Sequence, residues 1–150
     1  FETNNNLVFS FNFFTAAANS LSNEDARITK RIFIPTRKLR GFESGKIGPK
    51  DGGDYIGGNY GTALNLITTL PDFLAEVQNL DVSLFFDAAN VWGVDYSSNI
   101  DENSKIRSAT GVAIDWFTPI GPLSLSYAFP ITKNSTDVTE QIRFNIGTTF

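Results

Sequence analysis

Histidine, cysteine and methionine are all missing from the 150 residues. Without cysteine there is no disulfide, no thiolate metal site and no thiol nucleophile. Without histidine, the commonest general base and the commonest metal ligand are gone, which excludes most enzymes that rely on a titrating imidazole. Positive charge is also scarce: 12 Lys and Arg stand against 16 Asp and Glu, a net charge of −4. A nucleic-acid surface is normally basic, so no nucleic-acid partner is expected. No apolar run approaches the ~20 residues of a membrane helix, and the mean hydropathy is −0.10. That average is blind to a membrane β-barrel, in which half of every strand faces a polar lumen. The chain lacks an initiator Met, and no charged start with an apolar stretch opens it. It is therefore expected to be an internal or C-terminal piece of a longer protein.

Aromatic residues are abundant, 13% of the chain, and 14 of them are Phe. They fall into a period of two. In 7–15, Leu7, Phe9, Phe11 and Phe13 oppose Ser10 and Asn12. In 60–70, Thr62, Leu64, Leu66 and Leu70 oppose Gly61, Ala63, Asn65 and Thr69. In 80–92, Leu80, Val82, Leu84, Phe86, Ala88 and Trp92 oppose Asp81, Ser83 and Asp87. Segments 106–117, 123–131 and 141–150 alternate in the same way, the last placing Ile142, Phe144, Ile146 and Phe150 against Gln141, Arg143, Asn145 and Gly147. Six such segments make an all-β chain.

Two architectures fit this alternation. In a soluble sandwich the apolar faces meet each other; in a membrane barrel they meet lipid and the polar faces line a lumen. Segments of about 9–11 residues suit a tilted membrane strand. The connections run long, medium, long, short, long (16–59, 71–79, 93–105, 118–122, 132–140), as outer loops alternate with inner turns. If 118–122 is a periplasmic turn, the C-terminus is periplasmic and 16–59 is an outer loop. Six strands cannot close a membrane barrel, because known ones begin at about eight, so the chain is expected to be an arc of a larger barrel.

The connection 16–59 is far longer than a hairpin requires, and such loops are usually functional or disordered. It carries 8 of the 12 cations: Arg27, Lys30, Arg31, Arg37, Lys38, Arg40, Lys46 and Lys50. A solvated basic loop would account for them. A loop folded into the lumen would bring them to the inward carboxylates Asp81, Asp87 and Asp115. The glycine pairs 52–53 and 57–58 lack the strand–turn–helix setting of a phosphate cradle. The acidic 95–104 region, with Asp101 and Glu102, matches no calcium loop. No catalytic, cofactor-binding or metal residue is expected.

Leu39-Arg40-Gly41-Phe42 followed by Ile47-Gly48-Pro49-Lys50 resembles the sixth extracellular loop of the BamA-like outer-membrane assembly proteins. Leu84-Phe85-Phe86-Asp87-Ala88-Ala89-Asn90-Val91-Trp92 resembles the next strand motif of that family. Phe117-Thr118-Pro119-Ile120-Gly121-Pro122-Leu123 resembles its following turn, and Phe144 to Phe150 its terminal strand. Four motifs in family order span nearly the whole chain. The resemblance implies a sixteen-stranded barrel preceded by periplasmic POTRA domains, with this chain supplying the last six strands. It implies a bacterial outer-membrane location and work on unfolded outer-membrane protein clients among membrane lipids. Accessory assembly lipoproteins would dock through the POTRA domains, outside this chain. Ala89 departs from the family's usual Gly, and Asn65 stands near a position where relatives often carry Glu.

The resemblance also implies site residues. Arg40 would reach the inner wall at Asp87, with Gly41 as a tight turn and Phe42 as a packing anchor. The terminal strand, with Phe144, Ile146, Gly147 and Phe150, would pair poorly with the first strand and leave a labile seam. Rival readings are a two-partner-type secretion transporter or a TamA-like paralogue, and a passive porin-type barrel.

Overall fold

The computed structural model describes residues 7–21, 26–70, 73, 77–94, 100, 104–119 and 121–147. In chain order the strands are β1 (Val8–Ala17), β2 (Gly41–Phe42), β3 (Lys50–Asp51), β4 (Asp54–Tyr55), β5 (Tyr60–Leu70), β6 (Leu80–Trp92), β7 (Arg107–Thr118), β8 (Gly121–Thr132), β9 (Thr139–Glu140) and β10 (Ile142–Ile146). Two single 3₁₀ turns, Ile28–Lys30 and Thr36–Lys38, interrupt the long connection. The six longer strands form one antiparallel sheet in the order β1-β5-β6-β7-β8-β10. Each neighbour in the sheet follows the last along the chain, apart from the short inserted pairs.

Register explains which residues share a face. Phe11 lies opposite Leu66, Leu66 opposite Phe86, Phe86 opposite Thr110 and Thr110 opposite Phe129. A second row runs Ile114, Leu125, Phe144. This face is open: Phe9 is 75% exposed, Phe11 67% and Phe144 57%. A sandwich would have packed Phe11, Phe86 and Phe144 into a shared interior. Among the described residues no second sheet covers them, so the sandwich reading is overturned. A continuous exposed Phe and Leu surface of this size calls for an apolar solvent.

The other face is covered. Ala63, Ala89 and Ala109 on the sheet pack with Ile34, Leu39, Phe42 and Ile47 from the long connection, and Phe14 and Ile32 pack against them. Small wall residues leave room for the loop's large ones, so the apolar core lies between loop and sheet.

The boundaries shift in places. β1 continues to Ala17, so the connection runs 18–59 rather than 16–59. β7 and β8 pair down to Thr118 opposite Gly121, and the Thr118 hydroxyl donates to the Gly121 carbonyl at 2.6 Å. The register shifts between Ser108 and Ala109, beside Pro130, which has no N–H for the ladder. The last strand is regular over Ile142–Ile146, and Phe150 lies outside the described residues.

Candidate functional site

Alternation along β6 turns Asp87 to the covered face, where it is fully buried. One oxygen, Oδ2, accepts from Arg40 Nε at 2.7 Å and from the Arg40 backbone N–H at 3.0 Å. The other, Oδ1, accepts from Arg40 Nη2 at 2.8 Å and from Asn65 Nδ2 at 2.8 Å. Four donors thus fill the roughly four acceptor positions of the carboxylate. The planar guanidinium supplies two of them as a fork, and its central carbon lies 3.5 Å from the Phe85 ring centroid. Phe85 and Asp87 are two residues apart on one strand, so both meet the same arginine. Asn65 sits opposite Asp87 in the β5–β6 register. Its amide also donates to the Lys38 carbonyl at 2.9 Å, which ties the loop to the wall a second time.

Gly41 follows at φ +87°, and a Cβ there would stand 3.1 Å from that of Ala109 and 3.2 Å from that of Ala128. Both the left-handed backbone and the close approach require glycine. Phe42 is 2% exposed within the loop–sheet core. Further along, Gly48 presses on Val91, where a Cβ would come within 2.0 Å. Ala89, the departure from the family's glycine, packs in the same core at 2% exposure.

Ion pairs among the described residues include Arg40–Asp87, Arg107–Asp137 and Arg143–Glu140. Of the three acids expected to meet loop cations, Asp87 takes Arg40. Asp81 and Asp115 face each other across the β6–β7 register, and Asp115 accepts a hydrogen bond from Ser124 Oγ. Other loop cations use aromatic faces: Lys38 lies over Phe14, and Lys46 and Lys50 lie over Tyr55.

Sequence reasoning missed two features. One is the Arg107–Asp137 pair, with both side chains fully buried; nothing along the chain pointed from Arg107 to a partner 30 residues away. The other is β9, which pairs with β2 so that Gly41 meets Glu140 and Phe42 meets Thr139. The loop motif is thereby laddered to the segment leading into β10. In β10 itself, Phe144 and Ile146 lie on the exposed face, and Gly147 at φ +111° donates its N–H to the Pro122 carbonyl at 3.0 Å. Beside β9, Tyr55 donates to the Thr136 carbonyl. Burial pushes its phenol above the usual value of 10.0, and the Asp137 and Glu43 charges push the same way. No acidic cluster that could hold a metal occurs among the described residues; most of 95–104 lies outside them.

A family model described as the Omp85 superfamily domain matches residues 1–150. The outer membrane protein assembly factor BamA of Neisseria meningitidis is 30% identical over 140 residues, covering 75% of this chain and 17% of that protein. The 50 kDa subunit of the sorting assembly machinery of Saccharomyces cerevisiae is 29% identical over 121 residues, covering 75% of this chain and 25% of that protein. The crystal structure of BamA from Haemophilus ducreyi lacking POTRA domains 1–3 aligns with a TM-score of 0.80 at 31% identity. It covers 92% of this chain and 30% of that one. The chain thus spans less than a third of the length of each of these relatives.

Proposed function

The chain belongs to the Omp85 superfamily, and from that premise we propose that it is the C-terminal arc of a BamA-like barrel that inserts β-barrel proteins into a bacterial outer membrane. The single observation that carries this reading is the loop held on the inner wall by the Arg40–Asp87 fork. A strand-length hairpin connection needs no such device. A loop pinned by a fully satisfied carboxylate serves a barrel whose wall has to be held in one shape while part of it moves.

The moving part is β10. Among the described residues it is laddered on one side only, to β8, whereas β5 and β6 are each laddered on both sides. A strand held on one side is the more easily opened edge. Gly147 at positive φ would bend its end. An opened edge presents N–H and C=O groups that can template an incoming client strand by β-augmentation. Phe144 and Ile146 would stay in lipid as it does so, and Phe150 would close the strand at the interface. No bond is made or broken, so the protein is not an enzyme and uses no cofactor. It lowers a barrier through a labile seam and local thinning of the bilayer. Arg40, Gly41, Phe42 and Asp87 hold the loop. The partners are membrane lipids, unfolded clients and lipoproteins bound elsewhere in the full protein, with the C-terminus on the periplasmic side.

The test is Arg40→Ala in the full-length protein. An insertase variant accumulates unfolded outer-membrane proteins in the periplasm. A passive pore would show altered conductance with assembly at the unaltered rate, and that result would sink the reading. A two-partner secretion transporter would instead lose export of one dedicated substrate.

A further inference from the structure

A second buried pair lies at the start of β7, apart from the Asp87 anchor. Arg107, the first residue of β7, donates through Nε and Nη2 to the two carboxylate oxygens of Asp137, both at 3.0 Å. Its Nη1 donates to Asn90 Oδ1 at 3.0 Å and to the Lys105 carbonyl at 2.7 Å. Asp137 also accepts the Asn134 backbone N–H at 2.6 Å. Both side chains are 0% exposed. A desolvated pair with this many partners fixes residue 137 to the wall, since separating it would strand two charges.

The next residues of the chain are pinned to the loop instead. Val138 exchanges bonds with it: Glu43 N–H donates to the Val138 carbonyl at 2.9 Å, and Val138 N–H donates to the Lys46 carbonyl at 3.1 Å. Thr139–Glu140 then ladders with Gly41–Phe42. The Gln141 carbonyl accepts from Ala128 N–H at 2.8 Å, and β10 begins one residue later. From 137 to 142 the chain passes from the wall to the loop and back to the wall without a free step.

We propose that Arg107 and Asp137 are positioning residues for the last strand. The pair sets where segment 133–141 sits, so that β9 meets Gly41–Phe42 and β10 starts in register on β8. The freedom of β10 then depends on a charge pair between the first residue of β7 and the connection that leads into β10. Any consequence for client insertion rests on the seam reading above; the positional coupling does not.

Hydrogen exchange on the full-length protein in lipid nanodiscs tests this. In Asp137→Asn, segment 139–146 exchanges about tenfold faster or more while 80–92 stays within about twofold of the unaltered protein. Asp137→Glu, which keeps the charge, restores most of the protection. Unchanged exchange in 139–146 overturns the proposal, and so does equal loosening of 80–92. A measurement on the unaltered protein holds even if the variants do not fold. As urea rises, 133–138 and 139–146 lose protection together and before 80–92; separate midpoints for the two segments overturn the proposal. A folded Asp137→Asn barrel with a freed β10 but the unaltered assembly rate supports the positioning role and overturns the seam reading.

Discussion

At Asp87 one carboxylate organises two strands and a loop, and its surroundings decide what substitutions do. Asp87 is fully buried and Arg40 is 15% exposed. Removing one partner of such a pair costs about 3–5 kcal/mol when both are dry, and less where water reaches the arginine. Arg40→Ala is therefore expected to lower the stability of the docked loop by about 2–4 kcal/mol, read as faster exchange or proteolysis of 31–59 before the sheet opens. Arg40→Lys will not restore it, because an ammonium cannot span both oxygens as the fork does. Two glycines provide a paired test of space against backbone. Gly48 (φ +95°) faces Val91, whereas Gly52 (φ +60°) has nothing within 4 Å of the place a Cβ would take. Gly52→Ala is expected to cost about 1–2 kcal/mol from the left-handed backbone, and Gly48→Ala clearly more, by urea titration of loop protection.

Among the elements, β1 and the β3–β4 hairpin make opposite demands on their surroundings. β1 turns Phe9, Phe11 and Phe13 outward. Phe11→Arg is expected to destabilise the folded barrel by about 2–4 kcal/mol if that face meets mid-bilayer hydrocarbon. Ser10→Arg, on the opposite parity, should fall well short of that in the same urea titration in vesicles. The β3–β4 hairpin places Tyr55 between Lys46, Lys50 and the Thr136 carbonyl. Its phenol is raised above 10.0, first by burial and then by the Asp137 and Glu43 charges. The folded state therefore holds the proton more tightly than the unfolded chain does. The resulting stability is complete below pH 10 and is lost as pH climbs through the raised value. Phenolate absorbance should show a late-titrating component that is absent in Tyr55→Phe.

On the scale of the molecule, the sheet has one greasy open face, one face covered by its own loop, and two edges, β1 and β10, each paired on one side only among the described residues. The 150-residue chain alone is expected not to fold cooperatively in buffer without detergent. A monodisperse, sharply melting species under those conditions would overturn the lipid-facing assignment. The anchor and β10 also meet at this scale, because the residues after Arg40 ladder with the residues before β10.

Alternation of Phe and Leu with Ser, Asn and Asp was enough to place six strands and their two faces, since side chains reverse sides at every residue of a strand. It also put Asp87 on the inner face and Arg40 in a long basic connection. Local pattern cannot say which distant residues meet. That Asn65 would share the Asp87 carboxylate, that Arg107 would find Asp137, and that Thr139–Glu140 would ladder with Gly41–Phe42 depended on register and on how the loop lay across the wall. Those are contacts between segments tens of residues apart, chosen by packing and by the need to satisfy buried charge, and only the folded chain decides them.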